Sequence, residues 1–169
     1  MIARAPRRPV HVTEGVIAGS HELLRRRHAA RESIIYWAGF ECEASWVLTT
    51  CIGPDATTNR GSFETSATAN AQVISYLATH RLKILAQVHT HPDHCVGHSP
   101  GDDDGAFLAF PGFLSIVVPH YGQNGIVPFV ACGVHEHDGT NFRRLNRTEV
   151  DATLHVLPMG VDFLGKARS

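Results

Sequence analysis

The sequence predicts an α/β domain: a mixed β-sheet with helices packed against its faces. Apolar residues recur at helical spacing in two stretches, 16–30 and 66–81. Between and after them come short runs rich in β-branched and aromatic residues. The resulting order, β-α-β-β-α-β-α-β-β-β, lacks the strict alternation of a doubly wound parallel sheet.

Residues 1–8 read as a flexible basic lead-in. Val10-His11-Val12-Thr13 has the short alternation of a first strand. Val16, Ile17, Leu23, Leu24 and Ala29 then mark an amphipathic helix, with Arg and His between them. The unbroken apolar run 33–40 suits a strand buried on both faces, with 44–52 as its neighbour. Gly, Pro, Asp and Asn make 53–62 a polar loop. The second helix follows, then a short strand over 83–89. A short helix is expected over 102–110 and a buried strand over 113–119. The runs 127–135 and 141–145 flank His137-Asp138-Gly139-Thr140, and Asp-Gly between β-type runs signals a hairpin. Leu154-His155-Val156-Leu157 is a last apolar segment whose type the pattern leaves open.

The chain has 169 residues, 43% hydrophobic and 18% charged, which fits one domain spanning 1–169 with a real core. Its formal net charge of -1 gives no overall pull toward nucleic acid or an anionic membrane. The arginines at 4–8, 25–31 and 143–147 read as solvated faces or tails. Cys42, Cys51, Cys95 and Cys132 form no C-x-x-C pair, so a zinc ribbon is not indicated. No apolar run of signal-peptide or bilayer-spanning length is present, and the expectation is a cytoplasmic protein with reduced thiols.

The chemistry concentrates in residues 87–102. His89-Thr90-His91-Pro92 is followed, with seven residues between His91 and the next motif, by Ser99-Pro100-Gly101-Asp102. Residues i and i+2 of an extended chain point the same way, so the two imidazoles can converge on one ion, with Asp102 returning from the loop. Two His and one carboxylate are a usual ligand set for catalytic zinc, leaving one position for water. Ser99 fits a helix N-cap, with Pro at the first position and an acid at the third. Its hydroxyl is also placed to donate to an oxyanion beside the metal. His94, Cys95 and His98 lie inside the loop and read as neighbours of the site, with a ligand role left open. His135-Glu136-His137 is a second His-x-His with no carboxylate at a suitable spacing after it. It reads as a solvated hairpin tip. A zinc hydrolase also needs a carboxylate base beside the metal but not bound to it. The upstream candidates are Glu14, Glu22, Glu32, Glu41 and Glu43. Glu32 is best placed, where the first helix meets the most apolar strand and partial burial can raise its pKa.

Together these residues resemble the signature of the JAB/MPN domain (JAMM) metalloproteases. That signature is an upstream Glu before an apolar strand ending in Gly, here Glu32 to Gly39, then His-x-His-Pro, then Ser-x-x-Asp. The resemblance runs from the first helix to about residue 133. It implies a cytidine-deaminase-like α/β fold and one Zn2+ held by His89, His91, Asp102 and water. In that reading Glu32 activates the water and Ser99 stabilises the intermediate. The implied activity is cleavage after the C-terminal glycine of ubiquitin or a ubiquitin-like protein. The compact chain is most similar to the prokaryotic branch, whose members are often encoded with E1-like and E2-like proteins in conjugation or antiphage systems. Ile34 and Ile35 stand where many relatives carry glycine. Two other readings keep the site and change its use. One is a non-enzymatic zinc-bearing module binding a ubiquitin-like or E2-like partner. The other is maturation of a ubiquitin-like precursor or release of a sulfur-carrier protein's extension.

Overall fold

The computed structural model describes residues 7–26, 31–99, 101–102 and 106–160. Among these residues there are ten strands: β1 (Val10–Thr13), β2 (Ile34–Glu41), β3 (Trp46–Ile52), β4 (Ala56–Thr58), β5 (Phe63–Thr65), β6 (Lys83–Thr90), β7 (Leu114–Val118), β8 (Gly133–His137), β9 (Phe142–Arg144) and β10 (Leu154–Leu157). The α-helices described over their full length are α1 (Glu14–Arg26), α2 (Ala67–His80) and α3 (Arg147–Thr153). Eight strands form one sheet in the order β10-β1-β3-β2-β6-β7-β8-β9, and β4 pairs with β5 separately. β1 runs parallel to β10 and β3, and β6 parallel to β7. The remaining neighbours in the sheet are antiparallel, so it is mixed.

Each face of the sheet is apolar for a different cover. On one, Ile35, Trp37, Val88 and Ile116 pack with Val16 and Leu24 of α1 and Val150 of α3. The Trp37 indole, fully buried, donates its Nε1–H to Ser20 Oγ of α1 at 2.8 Å, so its polar atom is satisfied. On the other, Ile34, Tyr36, Ala38, Ile84 and Phe113 pack with Val73 of α2. That explains why the run 33–40 shows no alternation. α2 starts where the Ser66 side chain accepts from Ala69 N–H, and ends at Arg81, whose left-handed backbone (φ 55) turns its N–H back onto the last carbonyls. α3 opens on a capping box between Asn146 and Glu149.

Several expectations change. The polar stretch 53–62 is not all loop: β4 lies within it, and β4 and β5 make a hairpin that period-2 patterning cannot reveal in three-residue strands. The first helix begins at Glu14, and residues 27–30 of its expected span lie outside the described residues. Of the expected helix 102–110, Asp102 is helical, as is Gly101 just before it. Residues 103–105 lie outside the described residues, and 106–110 are not helical. The run from 127 does not begin as strand: Val127-Pro128 is cis, a 3-10 turn spans Phe129–Ala131, and β8 starts at Gly133. The undecided segment 154–157 is a strand, paired in parallel with β1. His135-Glu136-His137 is not a solvated tip, because all three residues are buried in β8. Arg7 supplies the missing compensation for the acid, gripping Glu136 through two hydrogen bonds of 3.0 and 2.8 Å. Arg8 pairs with Glu41, so the described end of the basic lead-in is tied to the sheet. All four cysteines are free, with Cys132 buried in the core. Among the described residues no helix is long and apolar enough to cross a membrane.

Between Ala38 and Gly39 the β2–β3 register shifts. A Cβ on Gly39 would run into the Val47 carbonyl oxygen and lie 2.7 Å from Leu48 Cα, both backbone atoms of the paired strand. Gly39→Ala is therefore expected to lower unfolding free energy by about 1–3 kcal/mol or more in chemical denaturation. Gly61→Ala, which has open space around it, is the control and should leave stability within roughly 0.5 kcal/mol of the parent.

Candidate metal centre

The site forms where β6 runs out beside β2. His89 is on β6, fully buried, and His91 is one residue past its end. Register sets what faces them: Ile34 lies opposite His89, and the next rung joins Ser33 to Thr90. Thr90 N–H donates to the Ser33 carbonyl at 3.1 Å, and Ser33 N–H donates to Thr90 Oγ1 at 2.9 Å. Thr90, the residue between the two histidines, thus fixes the strand start that carries Glu32. The Glu32 N–H reaches the Asn59 carbonyl of the β4–β5 turn at 2.8 Å.

Asp102 arrives from the far side of the loop. Ser99 N–H donates to Asp102 Oδ2 at 2.7 Å, and Asp102 N–H donates to Ser99 Oγ at 3.2 Å. This reciprocal box is the helix start that the sequence suggested. It leaves the Ser99 hydroxyl hydrogen free of the cap. His91 Nδ1 lies 3.1 Å from the Cys95 carbonyl, an acceptor that puts the proton on Nδ1 and turns Nε2 toward Asp102.

The donor atoms of His89, His91 and Asp102 all lie within 4.8 Å of one another. His89 Nε2 is 3.2 Å from Asp102 Oδ1, and His91 Nε2 is 3.5 Å from Oδ2. Despite that proximity, neither buried ring nitrogen of His89 is aligned on a hydrogen-bond partner among the described residues. An imidazole left so costs about 1–3 kcal/mol. A cation shared by the two Nε2 atoms and the carboxylate would satisfy it, and the donor set suits a catalytic zinc. The residues fit the ion.

The electrostatics agree. Burial holds His89 below the ordinary imidazole range, so it is neutral, the state in which an imidazole can ligate. His91 is raised, chiefly by Asp102. Burial acts to raise Asp102, but His89, His91 and the Ser99 N–H outweigh it and keep its carboxyl far below the carboxylate range. Glu32 behaves in the opposite way. Burial lifts its pKa to about 7, with His91 opposing and Asp102 adding to the rise. It senses both residues without belonging to the ligand group.

The other candidates separate cleanly. Glu14 accepts the Met159 N–H, Glu22 pairs with Arg26 on the surface, and Glu41 holds Arg8 and Lys83. His94 and Cys95 are exposed. His98 places its Nε2 2.7 Å from Ser115 Oγ and stands outside the ligand group. Sequence reasoning missed Ser115 and Gln87 beneath His98, although Gln87 shares the i, i+2 face of His89. It also missed Phe63, whose ring lies 5.5 Å from that of His89.

Ionising Glu32 in this pocket carries a cost absent from the unfolded chain. Its folded pKa is raised, so stability is full below about 4.5 and declines as pH rises through about 7. In chelator-treated protein, Glu32→Gln removes that cost. The variant should match the parent near pH 4.5 and exceed it above pH 7, by up to about 3 kcal/mol. Denaturation curves across this range check it, and a stability difference that ignores pH would mean the carboxylate is not desolvated.

No family model matches the chain, and no curated protein does. Among solved structures it is similar to protein DSY2949 from Desulfitobacterium hafniense, at 9% identity and a TM-score of 0.66, covering 88% of this chain and 93% of that one. It is also similar to AF2198 from Archaeoglobus fulgidus, a JAB1/MPN domain protein, at 14% identity and a TM-score of 0.48, covering 88% and 98%. The first likeness, at so low an identity, shows one thing: the α/β fold built here is shared with a solved protein.

Proposed function

We propose that the chain is a zinc-dependent peptidase of the JAB/MPN type, cleaving after the C-terminal glycine of a ubiquitin-like protein, from a conjugate or a precursor. The observation that carries the reading is the division of labour among four side chains. Three donors converge on one point, while Glu32, buried with a pKa of about 7, stands beside them unbound. A purely structural metal site has no use for such a base. The spacing of His89, His91, Ser99 and Asp102 and its resemblance to the JAMM signature support the same reading.

Zinc, when bound, supplies a Lewis acid that polarises the scissile carbonyl and acidifies water. Glu32 accepts the proton of the attacking water and returns it to the departing amine. A pKa near neutrality suits both transfers. Ser99, its oxygen already engaged by the Asp102 N–H, donates its hydroxyl hydrogen to the developing oxyanion. An operon-encoded E1-like or E2-like protein would supply the conjugates on which such an enzyme acts.

The experiment is a panel of ubiquitin-like fusions with glycine-ended tails, assayed beside metal analysis. The parent should bind one zinc and cleave at least one fusion, with turnover lost on chelation. Glu32→Gln should keep the zinc and lose roughly 10²–10⁴ in kcat. A Glu32→Gln protein as fast as the parent would refute the assignment of the base. Zinc binding without cleavage of any fusion would favour a zinc-bearing binding module.

A further inference from the structure

Three adjacent strands carry a buried polar row on the face that bears His89. Gln87 on β6 lies opposite Ser115 on β7, and Ser115 lies opposite His135 on β8. All three are buried, Gln87 and Ser115 fully. Gln87 Oε1 accepts the Phe107 N–H at 3.3 Å, which orients the amide. Its Nε2 then donates to Ser115 Oγ at 3.2 Å. Ser115, already an acceptor, has its own hydrogen left for His98 Nε2, 2.7 Å away. The His98 ring rests 5.8 Å from that of His89 and 4.7 Å from Phe142.

An apolar rung would pack here without the desolvation that these groups incur. The row therefore calls for a role, and its place suggests one. His98 directly precedes Ser99, whose box holds Asp102. Two residues earlier, the Val96 carbonyl sits where a Cβ of Gly133 would be. The loop from His91 to Ser99 is thus pressed onto β7 and β8 at two points, of which His98 is the polar one.

We propose that His98 is a positioning residue of the metal centre: the Gln87–Ser115 rung holds it, and it sets Ser99 and Asp102 against His89 and His91. The inference rests on the reading of that group as a metal site. His98 stands outside the group of His89, His91 and Asp102, with its Nε2 against Ser115 Oγ.

The test is zinc affinity of the full chain, by competition with a chromogenic chelator, with the cobalt-substituted protein's visible spectrum as a second readout. His98→Leu fills the same space without the acceptor and should weaken zinc about 10–100-fold and alter the cobalt bands. His98→Gln offers Oε1 to the Ser115 hydroxyl and should restore affinity to within about threefold. Ser115→Ala should reproduce the loss, and the double variant with His98→Leu should cost little more than either alone. The smaller Ser115→Ala change also serves if His98→Leu fails to fold. Parent-like affinity in His98→Leu or Ser115→Ala overturns the proposal, as does a loss that His98→Gln does not repair. A parent chain that binds no zinc removes the metal reading, and this inference with it.

Discussion

The site depends on the register of β2 against β6. Ile34 faces His89, and Ser33 and Thr90 exchange two hydrogen bonds on the next rung. Side chains alternate across a sheet, so a slip of one residue would send His89 to the α1 face and carry Glu32 away from it. The pairing is interrupted lower down, where the register shifts between Trp37 and Ala38 against β6, and between Ala38 and Gly39 against β3. These irregularities let Ile84 share one face with Gln87 and His89 while Leu85 shares the other with Val88. The bulge thus aims the ligand side of β6 without sacrificing the core at its start.

On that frame the charges of His89, His91 and Asp102 suit a cation. Asp102 is held ionised by the two histidines and the Ser99 N–H, burial holds His89 below the ordinary imidazole range, and Asp102 raises His91. A cation shared by the three would meet an ionised carboxylate and a neutral imidazole, the states that ligation needs. Glu32 stands apart because, among the described residues, nothing pairs with its carboxylate closely enough to offset burial. Two carboxylates within one site therefore differ in protonation behaviour, which is the physical basis for giving them different roles.

The convergence of His89, His91 and Asp102, the capping Ser99 and the burial of Glu32 were legible because each follows from a short-range rule: i, i+2 on a strand, a box at a helix start, an acid at a helix–strand junction. The strands of the core were legible for the same reason. What stayed hidden required partners far along the chain. Glu136 reads as a solvent residue until Arg7, from the opposite end of the sequence, closes on it. His135 and His137 read as a hairpin tip until His98 and Phe142 pack against them. The β4–β5 hairpin is too short to show a period, and its hold on Glu32 is a backbone bond from Asn59, invisible in side-chain patterns. Ser115 offered no signal at all, being one hydroxyl in an apolar strand.

The same long-range logic explains a costly piece of backbone beside the ligands. His120 and Tyr121 both have φ 53, and Gly122 follows at φ 75. Left-handed backbone costs a non-glycine residue about 1–2 kcal/mol, so two in succession persist only where surroundings impose them. The surroundings here are the ligand loop itself. Tyr121 N–H donates to the His91 carbonyl at 2.8 Å and His120 N–H to that of Asp93 at 2.9 Å, while His91 N–H reaches Val118 at 2.9 Å. Gly122 completes the turn where a Cβ would lie 2.9 Å from Leu24 of α1. From the other side, the Tyr121 hydroxyl donates to the Arg60 carbonyl, joining this turn to the β4–β5 hairpin. His91 is the one ligand of the three outside regular strand or helix, so its backbone has no ladder to hold it. A strained turn gripping the chain on both sides of Pro92 does that work, and the strain is the cost of keeping a ligand rigid at the mouth of the site.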